Sequence, residues 1–131
     1  MQYISGWQAL NIQSEKGHIA DWHPNVYFRN FKPTEMFDYD ENAPLGMLGI
    51  KERFIPYLQK SYYVANYARA IADLVYLDRL VQLRYCANDF LNDDEKQELF
   101  DYLKIINKTK NIEEFIKLEL TELYFKDKKK V

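Results

Sequence analysis

Cysteine is nearly missing. Cys86 stands alone among 131 residues, so no disulfide can form within the chain and a thiolate zinc site cannot be assembled from it. That usage suits a reducing compartment, and a cytoplasmic protein is expected. No window approaches the roughly 18 uncharged apolar residues of a membrane span. The opening MQYISGWQAL has no basic stretch leading into an apolar core, so secretion is not expected either. An excess of one charge is missing too. The formal charge of −2 and the pI near 5.7 give no overall pull toward nucleic acid or anionic lipid, which makes neither an expected partner. There is no P-loop, no dinucleotide glycine fingerprint, no G-x-S-x-G and no H-E-x-x-H. An enzyme of a familiar motif class is therefore disfavoured, and no cofactor is expected.

Glycine and proline are scarce and unevenly placed. All four Gly (Gly6, Gly17, Gly46, Gly49) and three of the four Pro (Pro24, Pro33, Pro44) fall in the first 50 residues. The length is that of one domain with its own core. Within it, residues 1–60 read as turn-rich, 61–126 as helical and 127–131 as a basic tail. The expected fold is mainly α: a small helical core with an irregular N-terminal third holding one or two short strands. What the chain has in abundance is aromatic side chains. Eleven Tyr, eight Phe and two Trp are more flat apolar area than a small core hides, which places some rings at an interface.

Residues 62–77 contain neither Gly nor Pro and repeat Val64, Tyr67, Ala68, Ile71, Leu74 and Val75 at three- and four-residue steps. That spacing predicts a buried central helix, capped by Ser61. Asn66, Arg69 and Asp73 interrupt it at i, i+3 and i+7, forming one narrow polar stripe. Earlier in the chain, residues 26–31 predict a short strand, residues 33–44 a loop, and residues 50–60 at most a helical turn, with Pro56 delaying the long helix until after it. A break is expected between Leu77 and Asn88. Asn92 followed by Glu95 is a capping box with Asn replacing Ser or Thr, and it predicts a helix over 93–106. The same grammar at Asn111 and Glu114 predicts a last helix over 112–125, antiparallel to the previous one.

Three groups of residues carry possible chemistry. His18, Asp21 and His23 are ligand types suited to zinc or iron. Their spacings of three and two match no helical ligand pair, and Pro24 beside them suggests a turn in which Asp21 holds backbone N–H groups. No metal site is expected there. In the stripe, Arg69 and Asp73 are spaced i, i+4 and can pair, leaving Asn66 and spare guanidinium donors for a partner or a phosphate. The competing reading has the stripe facing solvent or satisfying carbonyls of the N-terminal loops. Asp89, Asp93, Asp94, Glu95, Glu98 and Asp101 form an acidic cluster without the glycine and ligand order of a calcium loop, which suits a solvated helix N-terminus.

The segments ISGWQALNI, DWH and VANYARAIADLVY, followed by NDFLNDDEKQELFDYLK, together resemble a group of small bacterial proteins. Members carry an opening like I-x-G-x-x-A-L-N-I, then G-D-W-H, then V-A-N-x-x-R-A-x-x-D-L. Here these correspond to Ile4, Gly6, Ala9, Leu10, Asn11 and Ile12; to Asp21, Trp22 and His23; and to Val64, Ala65, Asn66, Arg69, Ala70, Asp73 and Leu74. Ala20 replaces the glycine before D-W-H. The group resembles the partners encoded beside nucleotidyltransferase-like toxins in toxin–antitoxin loci. The resemblance implies a cytoplasmic, antitoxin-like protein that restrains such a toxin by direct contact. Its candidate contact residues are Asp21, Trp22, His23, Asn66, Arg69 and Asp73, with none assigned to catalysis. The alternative is a small enzyme that hydrolyses or transfers a phosphate-bearing group, with Asp21 and His23 as acid and base and Arg69 as an anion clamp. That alternative requires the three side chains to converge.

Overall fold

A single residue, Asn66, separates a strand that ends at Ala65 from a helix that begins at Tyr67, and this junction positions the rest of the molecule. The computed structural model describes residues 1–106 and 108–129. In chain order its elements are β1 (Gln2–Tyr3), α1 (Gly6–Leu10), α2 (Pro24–Tyr27), β2 (Phe28–Arg29), β3 (Lys32–Pro33), β4 (Phe37–Asp38), β5 (Ile50–Ile55) and β6 (Lys60–Ala65). There follow α3 (Tyr67–Tyr76), α4 (Cys86–Phe90), α5 (Asp93–Ile105), α6 (Lys110–Glu119) and α7 (Thr121–Lys128). Helix takes 47% and strand 17%, so the fold is helix-rich but mixed α/β. It holds more sheet than one or two short strands.

The described strands form three antiparallel pairs: β1 with β4, β2 with β3, and β5 with β6. The β5–β6 hairpin is the longest, with Ile50 opposite Ala65 and Ile55 opposite Lys60. Its connection is a 3₁₀ turn over Pro56–Leu58, closed by Gln59 in the left-handed region at φ 56°. On the far side of β6, Ile4 makes a parallel bridge to Val64, donating to Tyr63 O and accepting from Ala65 N at 2.8 Å each. The N-terminus is thereby stitched to the hairpin.

Several sequence expectations are corrected. Residues 62–65 are the end of β6 rather than the first turn of the central helix, and Ser61 lies in that strand opposite Phe54 instead of capping anything. The cap is Asn66, whose Oδ1 accepts the Arg69 backbone N–H at 2.8 Å. Residues 50–55 form a strand, and Pro56 opens the 3₁₀ turn that ends it. Of the strand expected over 26–31, only Phe28–Arg29 is extended. Asn30 and Phe31, both at positive φ, form the two-residue turn into β3.

The last helix is broken into α6 and α7 at Leu120, and its cap is Thr109, which accepts from Ile112 N at 3.3 Å. Asn111 instead donates to Asp78. By contrast, the Asn92–Glu95 capping box is present with both of its bonds, and α5 starts where the sequence places it. The expected break after Leu77 is present too, as irregular chain around a 3₁₀ turn before α4. Of the basic tail, residues 130 and 131 lie outside the described part, as does residue 107 in the connection before α6.

Buried side chains from Tyr3 to Leu120 join in one hydrophobic cluster. α3 runs through its middle, packed on α1, α5 and β6, and every one of its residues up to Val75 is buried. Ile71 and Leu74 are fully enclosed. Burying each side chain of this size contributes about 1.5–3 kcal/mol, so this one short helix supplies a large share of the core.

Candidate functional site

The six candidate contact residues fall into two places. Asp21, Trp22 and His23 form a surface turn between α1 and α2, held from beneath by Asn11 at the end of α1. Asn11 Nδ2 donates to Trp7 O at 2.8 Å, and its Oδ1 accepts the His23 backbone N–H at 2.6 Å. Asp21 N donates to Leu10 O at 3.0 Å. The Asp21 carboxylate then takes Trp22 N–H at 3.0 Å and meets His23 Nδ1 at 2.7 Å. A carboxylate only accepts, so Nδ1 carries the hydrogen in this contact, and the rest of the His23 ring is largely exposed. These bonds hold the turn firmly while Trp22 itself is 69% exposed. A large aromatic side chain presented to solvent on a fixed backbone has the form of an interface anchor.

The stripe lies elsewhere and is differently used. Asn66 is exposed; besides capping α3 it donates from Nδ2 to Glu98 Oε1 at 2.6 Å, and Glu98 also accepts from the Tyr102 hydroxyl. Arg69 and Asp73 are buried, at 4% and 7% exposure. Arg69 Nε donates to Asp73 Oδ1 at 2.9 Å, and its Nη1 donates to Gly46 O at 2.9 Å and Leu48 O at 2.6 Å, with Leu45 O at 3.4 Å. Asp73 Oδ2 accepts from Ser5 Oγ at 2.6 Å and Tyr3 Oη at 2.8 Å. Burial, followed by the neighbouring Asp73 charge, pushes the Tyr3 phenol pKa well up. The guanidinium thus ties the loop before β5 to α3, and the carboxylate ties β1 to it. Such satisfaction is what a buried ion pair requires, because each unpaired atom would carry its full desolvation cost.

Gly49 makes the loop's approach possible. Its φ is +76°, and a Cβ there would stand 2.7 Å from Arg69 Cβ and 2.9 Å from the Tyr102 hydroxyl oxygen. Only a residue without a side chain fits. Sequence reasoning singled out Arg69 and Asp73 but missed Tyr3, Ser5 and Gly49 as their companions, since their separation along the chain gives no periodic signal.

His18 does not join the Asp21–His23 pair. It stacks edge-on against Tyr67, with Nδ1 near Ser14 Oγ and Nε2 3.9 Å from Glu95. Among the described residues no three His, Cys, Asp or Glu side chains gather as a metal-ligand set. Nor does Arg69 join Asp21 and His23. The recess beside His23 is lined by Trp7, Asp21, Tyr27 and Phe90, whereas the one reaching Arg69 is lined by Tyr3, Phe37, Leu45 and Asp73, and the two share no residue. The anion clamp required by a phosphate-transfer reading is therefore engaged within the fold.

Beside the turn is a feature the sequence did not suggest. A cavity of about 520 Å³ opens between the 11–28 region and the β5–β6 hairpin, with Trp22 and Tyr57 at its margin and Phe28 and Ile55 in its wall. Phe28 and Tyr57, both in its lining, meet edge to face at 5.7 Å. Among the described residues, no helix is long and apolar enough to cross a membrane. Compared with family models, curated proteins and solved structures, the chain matches none.

Proposed function

We propose that this chain is a protein-binding module of antitoxin type, which restrains a nucleotidyltransferase-like toxin in the cytoplasm by direct contact. The observation that carries the reading is Trp22: a tryptophan 69% exposed on a turn locked by Asn11 and Asp21, beside other open apolar side chains at Val26 and Tyr57. A rigidly held, exposed tryptophan with open apolar neighbours supports an interaction site here, since such side chains are favoured anchors of protein interfaces. The likeness of the ISGWQALNI, DWH and VANYARAIADL segments to the partners of such toxins supports the choice of partner. Asp21, Trp22 and His23 form the contact in this reading. Arg69 and Asp73 act away from it, within the fold, by holding β1, α3 and the loop before β5 in register, and Asn66 caps α3 at the surface. Co-expression with the product of the neighbouring gene tests the proposal. The expected result is a co-purifying complex and relief of toxicity, and independent elution with undiminished toxicity would overturn it.

A further inference from the structure

The β5–β6 hairpin has one edge without a neighbour. Within a strand the N–H and C=O of a residue point to the same edge, and successive residues point to opposite edges. Tyr63 O and Ala65 N turn away from β5 to bond Ile4, so Tyr62 and Val64 are the β6 residues that face β5. Their partners in register are Arg53 and Lys51, and Gly49 O continues the series by accepting from Asn66 N at 2.8 Å. Ile50, Glu52 and Phe54 therefore direct their backbone groups to the outer edge. Ile50 N–H folds back onto Met47 O at 3.0 Å. Among the described residues none bonds Ile50 O, or the N–H and C=O of Glu52 and Phe54. The loop over 13–15 is tied to β5 by side chains, Arg53 donating to Gln13 O at 2.7 Å and Lys51 meeting Glu15 at 3.1 Å, and it takes none of the strand's backbone groups. Glu52 and Phe54 are both exposed, Phe54 at 62%.

We propose that the outer edge of β5 takes an extended segment of a partner protein as an added strand. The occupant follows from the groups on offer, since a donor and an acceptor recurring at every second residue are matched by the backbone of another strand. A second copy of this chain is a poor occupant. Antiparallel pairing about a twofold axis sets outward-facing residues opposite one another. The registers that pair most of β5 then place either Glu52 against Glu52 of the copy or Arg53 against Arg53 of the copy. Like charges directly opposite destabilise a pair, so these two residues oppose self-association while leaving the edge open to a different sequence. On the incoming strand, a basic residue beside Glu52 and a β-branched or aromatic one beside Phe54 complete the cross-strand pairs. Arg53 and Ile55 line one recess with Trp22, which brings this strand next to the turn already proposed as the contact. The inference deepens the protein-binding reading by naming how the bound segment is held.

Hydrogen exchange followed by NMR on the full chain reads the edge directly. In the free protein the amides of Glu52 and Phe54 should exchange far faster than those of Lys51 and Arg53, and equal protection would overturn the proposal. The binding probe is a nine-residue peptide selected on the full chain from a random library, and adding it should slow exchange at Glu52 and Phe54. N-methylation of every second peptide residue should cost about tenfold in affinity in one phase of the alternation and little in the other, because only alternate N–H groups of an added strand meet the edge. Glu52→Pro, which removes an outer N–H and no bond to β6, should also lose about tenfold, with Glu52→Ala as the control that keeps the N–H. A melting curve verifies that the proline variant is folded, and the N-methyl series decides the matter if it is not. Failure to select any peptide, no added protection at Glu52 and Phe54, or equal losses in both phases would overturn the proposal. So would equal binding of the neighbouring gene's product to wild type and a folded Glu52→Pro variant. If that product does not bind at all while selected peptides pair with the edge, the edge stands and the toxin reading falls.

Discussion

The Asp73 carboxylate receives the Arg69 Nε–H at 2.9 Å from one turn earlier on α3, and both side chains are buried. They account for two of the three residues of the polar stripe, the third being the cap Asn66. Most of the pair is engaged within the fold: Gly46 O and Leu48 O take the Arg69 Nη1 donors, Nη2 lies 3.4 Å from Tyr3 Oη, and Ser5 and Tyr3 fill Asp73 Oδ2.

Arg69→Ala is therefore expected to be strongly destabilising, by about 3–5 kcal/mol, since it strands a buried carboxylate and several loop carbonyls. Replacing both partners with apolar residues of similar volume, as in Arg69→Met with Asp73→Leu, should recover part of that loss. Urea unfolding of the two single variants and the double variant measures it. A single-variant loss below about 1 kcal/mol, the range of exposed pairs, would contradict the assignment.

Glycines 46 and 49 offer an internal comparison. Both have positive φ, but a Cβ at Gly46 meets nothing within 4 Å, whereas one at Gly49 runs into Arg69 Cβ and Tyr102 Oη. Gly46→Ala should cost only the left-handed backbone term, about 1–2 kcal/mol. Gly49→Ala should add an overpacking cost of about 1–3 kcal/mol. Equal unfolding midpoints for the two variants would refute the close approach of this loop to α3.

How much of this was legible beforehand depends on whether the determinants were local. The start of α5 was readable because Asn92 and Glu95 satisfy each other's backbone within three residues. The strand end at 62–65 was not, because Val64 and Ala65 are both buried, one edge of β6 meeting β5 and the other Ile4. Burial on both faces erases the alternation that distinguishes a strand from a helix. The break at Leu120 has neither Gly nor Pro to announce it. There the Thr121 hydroxyl bonds Lys117 O and Leu118 O, competing locally for helix carbonyls. Of the candidate site, the Asn11–Asp21–His23 turn was partly readable from Asp21 and Pro24. The cavity beside it was not, since its walls come from segments some thirty residues apart.

Alkaline stability should reflect the buried phenols. Burial raises the pKa of Tyr3, Tyr67 and Tyr102 above the ordinary tyrosine value, that of Tyr67 to about 12. Above pH of about 10 the unfolded chain sheds phenolic protons that the folded chain retains, so the native state binds more protons. The stabilisation is full below that pH and is lost as the pH rises through the folded values. Tyr67→Phe should make the alkaline loss shallower. At neutral pH it should cost about 1 kcal/mol, from the single hydroxyl hydrogen shared between Ile12 O and His18 O. Denaturant midpoints across the alkaline range decide the matter, and a slope unchanged by the substitution would contradict it.

Cys86 should be inert while the chain is folded. It is 1% exposed at the start of α4, and burial, with Glu119 nearby, drives its thiol pKa upward. The thiolate is the reactive form, so iodoacetamide at mildly alkaline pH should modify native protein far more slowly than denatured protein. The residual native rate reports opening of the α4–α6 contact. Native labelling as fast as that of unfolded chain would place this cysteine at the surface instead.

Position and contact can be separated at the Trp22 turn. Trp22 is mostly in solvent, so Trp22→Ala should change folding stability by no more than about 0.5 kcal/mol. Asn11 is buried and bridges Trp7 O to the His23 N–H, so Asn11→Ala should cost about 1–3 kcal/mol by leaving buried backbone groups unpaired. Both should weaken partner binding, one by removing the anchor and the other by loosening the turn that presents it. Their binding losses should therefore be less than additive in the double variant, because an anchor already removed cannot be mispositioned. Titration calorimetry of the four proteins against the partner tests this. Full additivity would mean that Asn11 acts on binding through some route other than Trp22.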